Sequence, residues 1–140
     1  MALSCMRCVA RRHELTVQCT QPCLATLPAD MALPVRHPLY QVDPSGLSYR
    51  YFATAVGKGK NGAKSQLEKL DLSTLTCREA VIECAKVIYS QHDPAKDKPI
   101  ELELSWVCDE TNKCHQLVPP ALHAEAEAAA KAFREAMDED

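Results

Sequence analysis

The stretch Asp43–Leu70, DPSGLSYRYFATAVGKGKNGAKSQLEKL, decides the fold, because it carries a turn, a strand, a glycine-marked exit and a helix in one run. Asp43-Pro44-Ser45-Gly46 is a type I turn signature: Asp at the first position, Pro presetting φ at the second, Gly at the fourth. Leu39-Tyr40-Gln41-Val42 before it and Leu47 to Val56 after it are rich in aromatic and β-branched residues. The turn is therefore predicted to close a hairpin. Along the second strand Tyr49, Tyr51, Ala53 and Ala55 alternate with Arg50, Phe52, Thr54 and Val56. Neither set is purely polar, which predicts a strand covered on both faces. Gly57 and Gly59 break it, and a helix from Lys60 to about Leu70 places Ala63, Leu67 and Leu70 on one face.

Working downstream, Thr76-x-x-Glu79 is a capping box, in which the hydroxyl reaches the amide three residues on and the glutamate reaches back. It opens a second helix lasting to about Gln91, with Cys77, Ala80, Val81, Cys84, Val87 and Ile88 as its apolar stripe. His92-Asp93-Pro94 ends that helix, since a proline disfavours helical conformation in the residue before it. Ile100, Leu102, Leu104 and Trp106 then alternate with Glu101, Glu103 and Ser105, the mark of a strand with one apolar face. A polar turn, Asp109 to Asn112, leads into a returning strand over Lys113 to Val118. Pro119-Pro120 opens a last helix whose Leu122, Ala126, Ala129, Ala130, Phe133 and Met137 follow the helical period. Glu127 and Lys131 form a favourable i,i+4 pair on it, while its acidic end opposes the macrodipole and predicts fraying. Hairpin, helix, helix, hairpin, helix is an α+β layout, with helices packed on an antiparallel sheet.

Upstream, residues 1–38 differ in kind. Pro22, Pro28, Pro34 and Pro38 interrupt every candidate element after the first twenty residues. The expectation is an irregular or disordered cysteine- and proline-rich leader with a boundary near Pro38, followed by one domain over residues 39–140. A chain of 140 residues has room for one moderate core. A net charge of -3 with scattered lysines does not point to nucleic acid, and no apolar run approaches membrane-spanning length. Met1 to Ala10 carries Arg7 and two cysteines where a signal peptide needs an unbroken apolar core, so an intracellular chain with reduced thiols is expected.

Several constellations resemble chemical sites. Gly57-x-Gly59-x-x-Gly62 matches the dinucleotide fingerprint, which works by letting a pyrophosphate approach the backbone at a helix N-terminus. It also requires a βαβ unit with an acidic residue on the next strand, and here a second helix follows the first. The simpler reading is a glycine hinge. Cys5-x-x-Cys8 and Cys19-x-x-x-Cys23, with His13 between them, have spacings that can chelate zinc. No glycine occurs in the first forty-five residues to form the tight turns of a knuckle. Cys108, Cys114 and His115 flank a turn as a partial metal set, with ordinary strand positions as the simpler reading. Cys77 and Cys84 suit buried helix positions. Glu101 and Glu103 share a strand face, and Lys58, Lys60 and Lys64 gather at a helix start; solvated surface accounts for both. None of the five histidines falls in a catalytic motif, so no catalytic residue and no cofactor are assigned.

A family resemblance adds to this reading. DPSG (Asp43 to Gly46), ATAVGKG (Ala53 to Gly59), AK-x-x-LEKL (Ala63 to Leu70), TCREAV (Thr76 to Val81), HD-x-x-KDK (His92 to Lys98), ELELSWV (Glu101 to Val107) and the acidic tail occur in order. Together they resemble the C-terminal half of a proteasome alpha-type subunit. That resemblance implies part of a four-layer αββα sandwich of the N-terminal-nucleophile hydrolase type, in a subunit without the threonine nucleophile. It implies seven-membered outer rings, hetero-oligomeric contacts with other alpha and beta subunits, and a structural role in ubiquitin-linked protein breakdown. Residues 1–38 do not share it. A truncated chain is therefore expected, lacking the gate segment and one helical layer. The alternatives are a fragment that neither assembles nor acts, or a zinc module on Cys5, Cys8, Cys19 and Cys23. Removing one sheet from a sandwich exposes several hundred Å² of apolar face, on the order of 10 kcal/mol.

Overall fold

A computed structural model describes residues 5–11, 15–20, 39–72, 74–93, 99–112 and 114–138. Its main sheet is antiparallel and five-stranded. β1 (Cys5–Arg11) and β2 (Leu15–Thr20) form a hairpin, followed by β3 (Leu39–Val42), β4 (Ser48–Tyr51) and β5 (Ala53–Val56). Two helices come next, α1 (Lys60–Leu67) and α2 (Cys77–Ser90), then β6 (Glu101–Val107), β7 (Gln116–Leu117) and α3 (Pro120–Asp138). The five-stranded sheet runs β5-β2-β1-β6-β7, and β3-β4 stands apart as a two-stranded ribbon. This is the α+β arrangement foreseen, with the helices on one face of an antiparallel sheet.

Local chemistry accounts for most of these elements. The Asp43 carbonyl accepts from the Gly46 amide at 2.9 Å, closing the β3–β4 turn, and Gly46 takes φ +85°, where a Cβ would be strained. At α2 the Thr76 hydroxyl accepts from the Glu79 amide, while a Glu79 carboxylate oxygen accepts from the Thr76 amide at 2.7 Å. The backbone bond to Thr76, reinforced by its hydroxyl, holds the Glu79 carboxyl below the ordinary range. Thr76→Ala should therefore lower the thermal midpoint by a few °C, readable by circular dichroism.

The core lies between the helices and one face of the sheet. Leu15, Val17, Ala55, Leu104 and Trp106 meet Val81, Cys84, Ala85 and Ile88 of α2 and Leu122, Ala126 and Ala130 of α3. The predicted stripe of α2 is the buried one, apart from Cys77 at its first turn, which is half-buried. On the opposite face Thr54 of β5 donates its hydroxyl to Gln41 of β3 at 3.0 Å. The β3–β4 ribbon is thereby the start of a second layer, which gives a partial sandwich rather than a single sheet with helices.

Three expectations differ from the structure. The long strand over Leu47–Val56 is two strands in two sheets, separated at Phe52, because the chain crosses from the ribbon to the main sheet there. The return strand after the 109–112 turn shrinks to Gln116–Leu117. The irregular leader over 1–38 is not irregular at Cys5–Arg11 and Leu15–Thr20, which are paired strands. Leu15-Thr16-Val17-Gln18 alternates apolar and polar residues and buries the apolar pair on the core side. Residues 21–38, with the four prolines, lie outside the described residues.

Candidate assembly surface

The most conspicuous surface is the outward face of the β3–β4 ribbon. Five of the nine large apolar side chains exposed among the described residues, Tyr40, Val42, Leu47, Tyr49 and Phe52, lie on or beside the ribbon, with Tyr40 and Val42 on its outward face. Such clustering marks a patch rather than scattered exposure. The register explains it. Leu39 pairs with Tyr51 and Gln41 with Tyr49, and from this set Leu39 is buried and Gln41 bonds to the main sheet. Tyr40 (56% exposed), opposite Arg50, and Val42 (67% exposed), opposite Ser48, turn away on the other face. The Arg50 guanidinium sits 5.9 Å from the centroid of the Phe52 ring, so the one cation of this face rests on an aromatic plane.

A second apolar surface is a groove of about 430 Å³ formed by α1, α2 and α3, with Leu70, Val87, Phe133 and Met137 among its lining residues. Phe133 and Met137 follow the helical period of Leu122, Ala126 and Ala130, yet both are exposed where those three are buried. Hydrogen bonds tie α3 to α2 and β6, and an ion pair braces it internally. Lys131 pairs with Glu127 at 2.8 Å, and the Tyr89 hydroxyl donates to Glu127 from α2 at 3.4 Å. His123 Nε2 lies 3.0 Å from the Leu102 carbonyl of β6. The Lys131 bond holds the Glu127 carboxyl below its ordinary value of 4.5, against a raising effect of burial. A depressed folded-state value means this contribution is complete above the unfolded value and fades as pH falls through the folded one. Acid titration of stability should therefore show a loss beginning near pH 4.5 that Glu127→Gln reduces.

The residues singled out for chemistry do not converge. Cys108 is buried in the core, whereas Cys114 and His115 are exposed, and no group of three metal-ligating residues occurs among the described residues. Cys5 and Cys8 lie along one extended strand, where a zinc knuckle needs a turn between them. Cys19 stands opposite Met6 in the next strand, and Cys23 lies outside the described residues. Cys77 and Cys84 lie on α2, the first half-buried and the second buried. Glu101 and Glu103 stand in register with Arg11 and Val9 of β1.

The glycine fingerprint is a strand-to-helix hinge. β5 pairs antiparallel with β2 and α1 is followed by α2, so the described residues contain no βαβ unit here. Gly59 caps α1 at φ +80°. A Cβ at Gly62 would fall 2.1 Å from Gln91 Oε1, so its absence admits the end of α2. Of the three lysines, Lys58 and Lys60 are exposed, and Lys64 lies 5.3 Å from the Tyr51 ring centroid. Gly59→Ala should cost about 1–2 kcal/mol in a thermal melt, and neither form should gain stability from NAD or ATP.

A family model described as "Proteasome subunit" matches residues 32–107 of this chain, just over half of its 140 residues. The chain belongs to the proteasome subunit family. It is similar to "Proteasome subunit alpha type-3" of Spinacia oleracea, 61% identical over 102 residues, 73% of this chain and 41% of that protein. The same protein of Oryza sativa is 58% identical over an equal span. "Probable proteasome subunit alpha type-7" of Saccharomyces cerevisiae is 45% identical over 92 residues, 63% of this chain and 32% of that protein. The chain thus spans 41% of the length of the plant relatives it matches. No described helix is long and apolar enough to cross a membrane.

Proposed function

We propose that this chain is a non-catalytic structural subunit of the 20S proteasome core, placed in the alpha ring and serving ubiquitin-dependent protein degradation in cytoplasm and nucleus. The similarity to alpha type-3 subunits supports the ring position, and the apolar ribbon face carries the structural role. Its partners are other alpha and beta subunits, with no nucleic acid, membrane or cofactor involved. Residues 39–140 are the part assigned to the subunit domain. A chain that does not assemble and has no activity of its own is the second reading. Sedimentation of the tagged full chain from lysate separates the two. Co-migration with a known subunit in the large particle establishes incorporation, whereas a small species or a pelleted aggregate establishes the second reading.

A further inference from the structure

We infer that residues 5–20, which lie outside the family match, supply the central strand pair of the helix-bearing sheet and that the fold of the remaining described chain depends on them. The match begins at residue 32, so β5 and β6 are inside it and the β1–β2 hairpin is not. β5 and β6 do not pair with each other; they are joined only through the order β5-β2-β1-β6. β1 is in register with all of β6, from Cys5 opposite Val107 to Arg11 opposite Glu101. β2 is in register with β5 from Thr16 opposite Val56 to Cys19 opposite Ala53. Without the hairpin, β5 has no neighbour in its sheet and β6 keeps only the two-residue β7.

Burial points the same way. Leu15 and Val17 are 0% exposed and belong to one cluster with Val81, Ile88, Leu104 and Trp106. α2 packs across both β1 and β2, so the hairpin forms the floor beneath the buried apolar stripe of α2. A tethered appendage would instead lie at a sheet edge with one solvent-facing side. Two short flanking strands left without their central pair could not close a core, since sheet stability needs several paired strands with a covered face. The segment is therefore a folding determinant that lies outside the family match, whether or not the chain enters a ring.

Hydrogen exchange followed by mass spectrometry on the full-length protein tests this. Leu15–Thr20 and Glu101–Val107 should exchange together in the slowest class. Val9→Pro, which removes an amide from a strand paired on both sides, and Val17→Asp, which buries a charge, should each strip protection from β5, β6 and α2 at once. Fast exchange of Leu15–Thr20 beside slow exchange of β6 and α2 in the unaltered protein overturns the inference. So does a Val17→Asp protein with unchanged protection. Because the unaltered protein decides by itself, variants that fail to fold do not obscure the answer.

Discussion

Leu104→Ala is expected to destabilise the protein by about 2–5 kcal/mol, a large part of the ~5–15 kcal/mol that holds a domain folded. Leu104 is 2% exposed on β6, and its side chain is among the largest fully enclosed ones. It sits between the central strand β1, where it is opposite Cys8, and the start of α3, whose preceding Val118 amide bonds the Leu104 carbonyl at 3.0 Å. Truncation removes apolar contacts and leaves a cavity that a sheet held from both sides cannot collapse to fill. Denaturant titration measures the loss as a lower midpoint at unchanged slope. Leu117→Ala is the control: Leu117 is 66% exposed on β7, and its change should stay within ~0.5 kcal/mol. Equal effects at the two positions would contradict the core described above.

Tyr40→Asp is expected to leave the fold intact and to reduce association with the large particle at least tenfold. Tyr40 is more than half exposed and its strand neighbour Arg50 is on the surface, so the substitution removes nothing from the core. In a contact formed by this ribbon, however, it would place a carboxylate beside Val42 on the apolar outward face. Central aromatic anchors at interfaces are worth roughly 2 kcal/mol or more, about thirtyfold in affinity. The readout is the share of tagged chain that sediments with a known subunit, with the circular dichroism spectrum as the check on folding. Undiminished co-sedimentation would remove the ribbon face from the assembly. A normal spectrum with lost co-sedimentation would place it there.

Much of this architecture was legible because its signals are local. The capping box at Thr76, the three-and-four spacing through Ile88 and the proline after Asp93 each act within a few residues, and α2 lies where they put it. The alternation from Ile100 to Trp106 likewise marks β6, and the Asp43–Gly46 turn marks the hairpin. Phe133 and Met137 show where periodicity misleads. They continue the apolar phase of α3, but they line an open groove beside Leu70 and Val87, since none of the described elements covers the end of that helix. Period reports which residues share a face, not whether a neighbour reaches it.

The candidate surface was less legible, because exposure is a property of packing. Tyr40 and Val42 have the same composition signal as Leu39, yet one position of register decides which of them is buried. Phe52 was read as one residue in a continuous strand, and only the crossing between two sheets turns it outward.

By itself, the sequence determined the α+β class, the helices and most strands from Leu39 onward, and the family, because turn chemistry, capping and periodicity are encoded in adjacent residues. Only the tertiary structure decided that Leu15 and Val17 are core and that the hairpin of residues 5–20 separates β5 from β6. It alone decided that the β3–β4 ribbon begins a second layer with an apolar outer face. Those facts rest on pairings between residues far apart in the chain, where the free energy comes from burial and ladder bonds that no local pattern records.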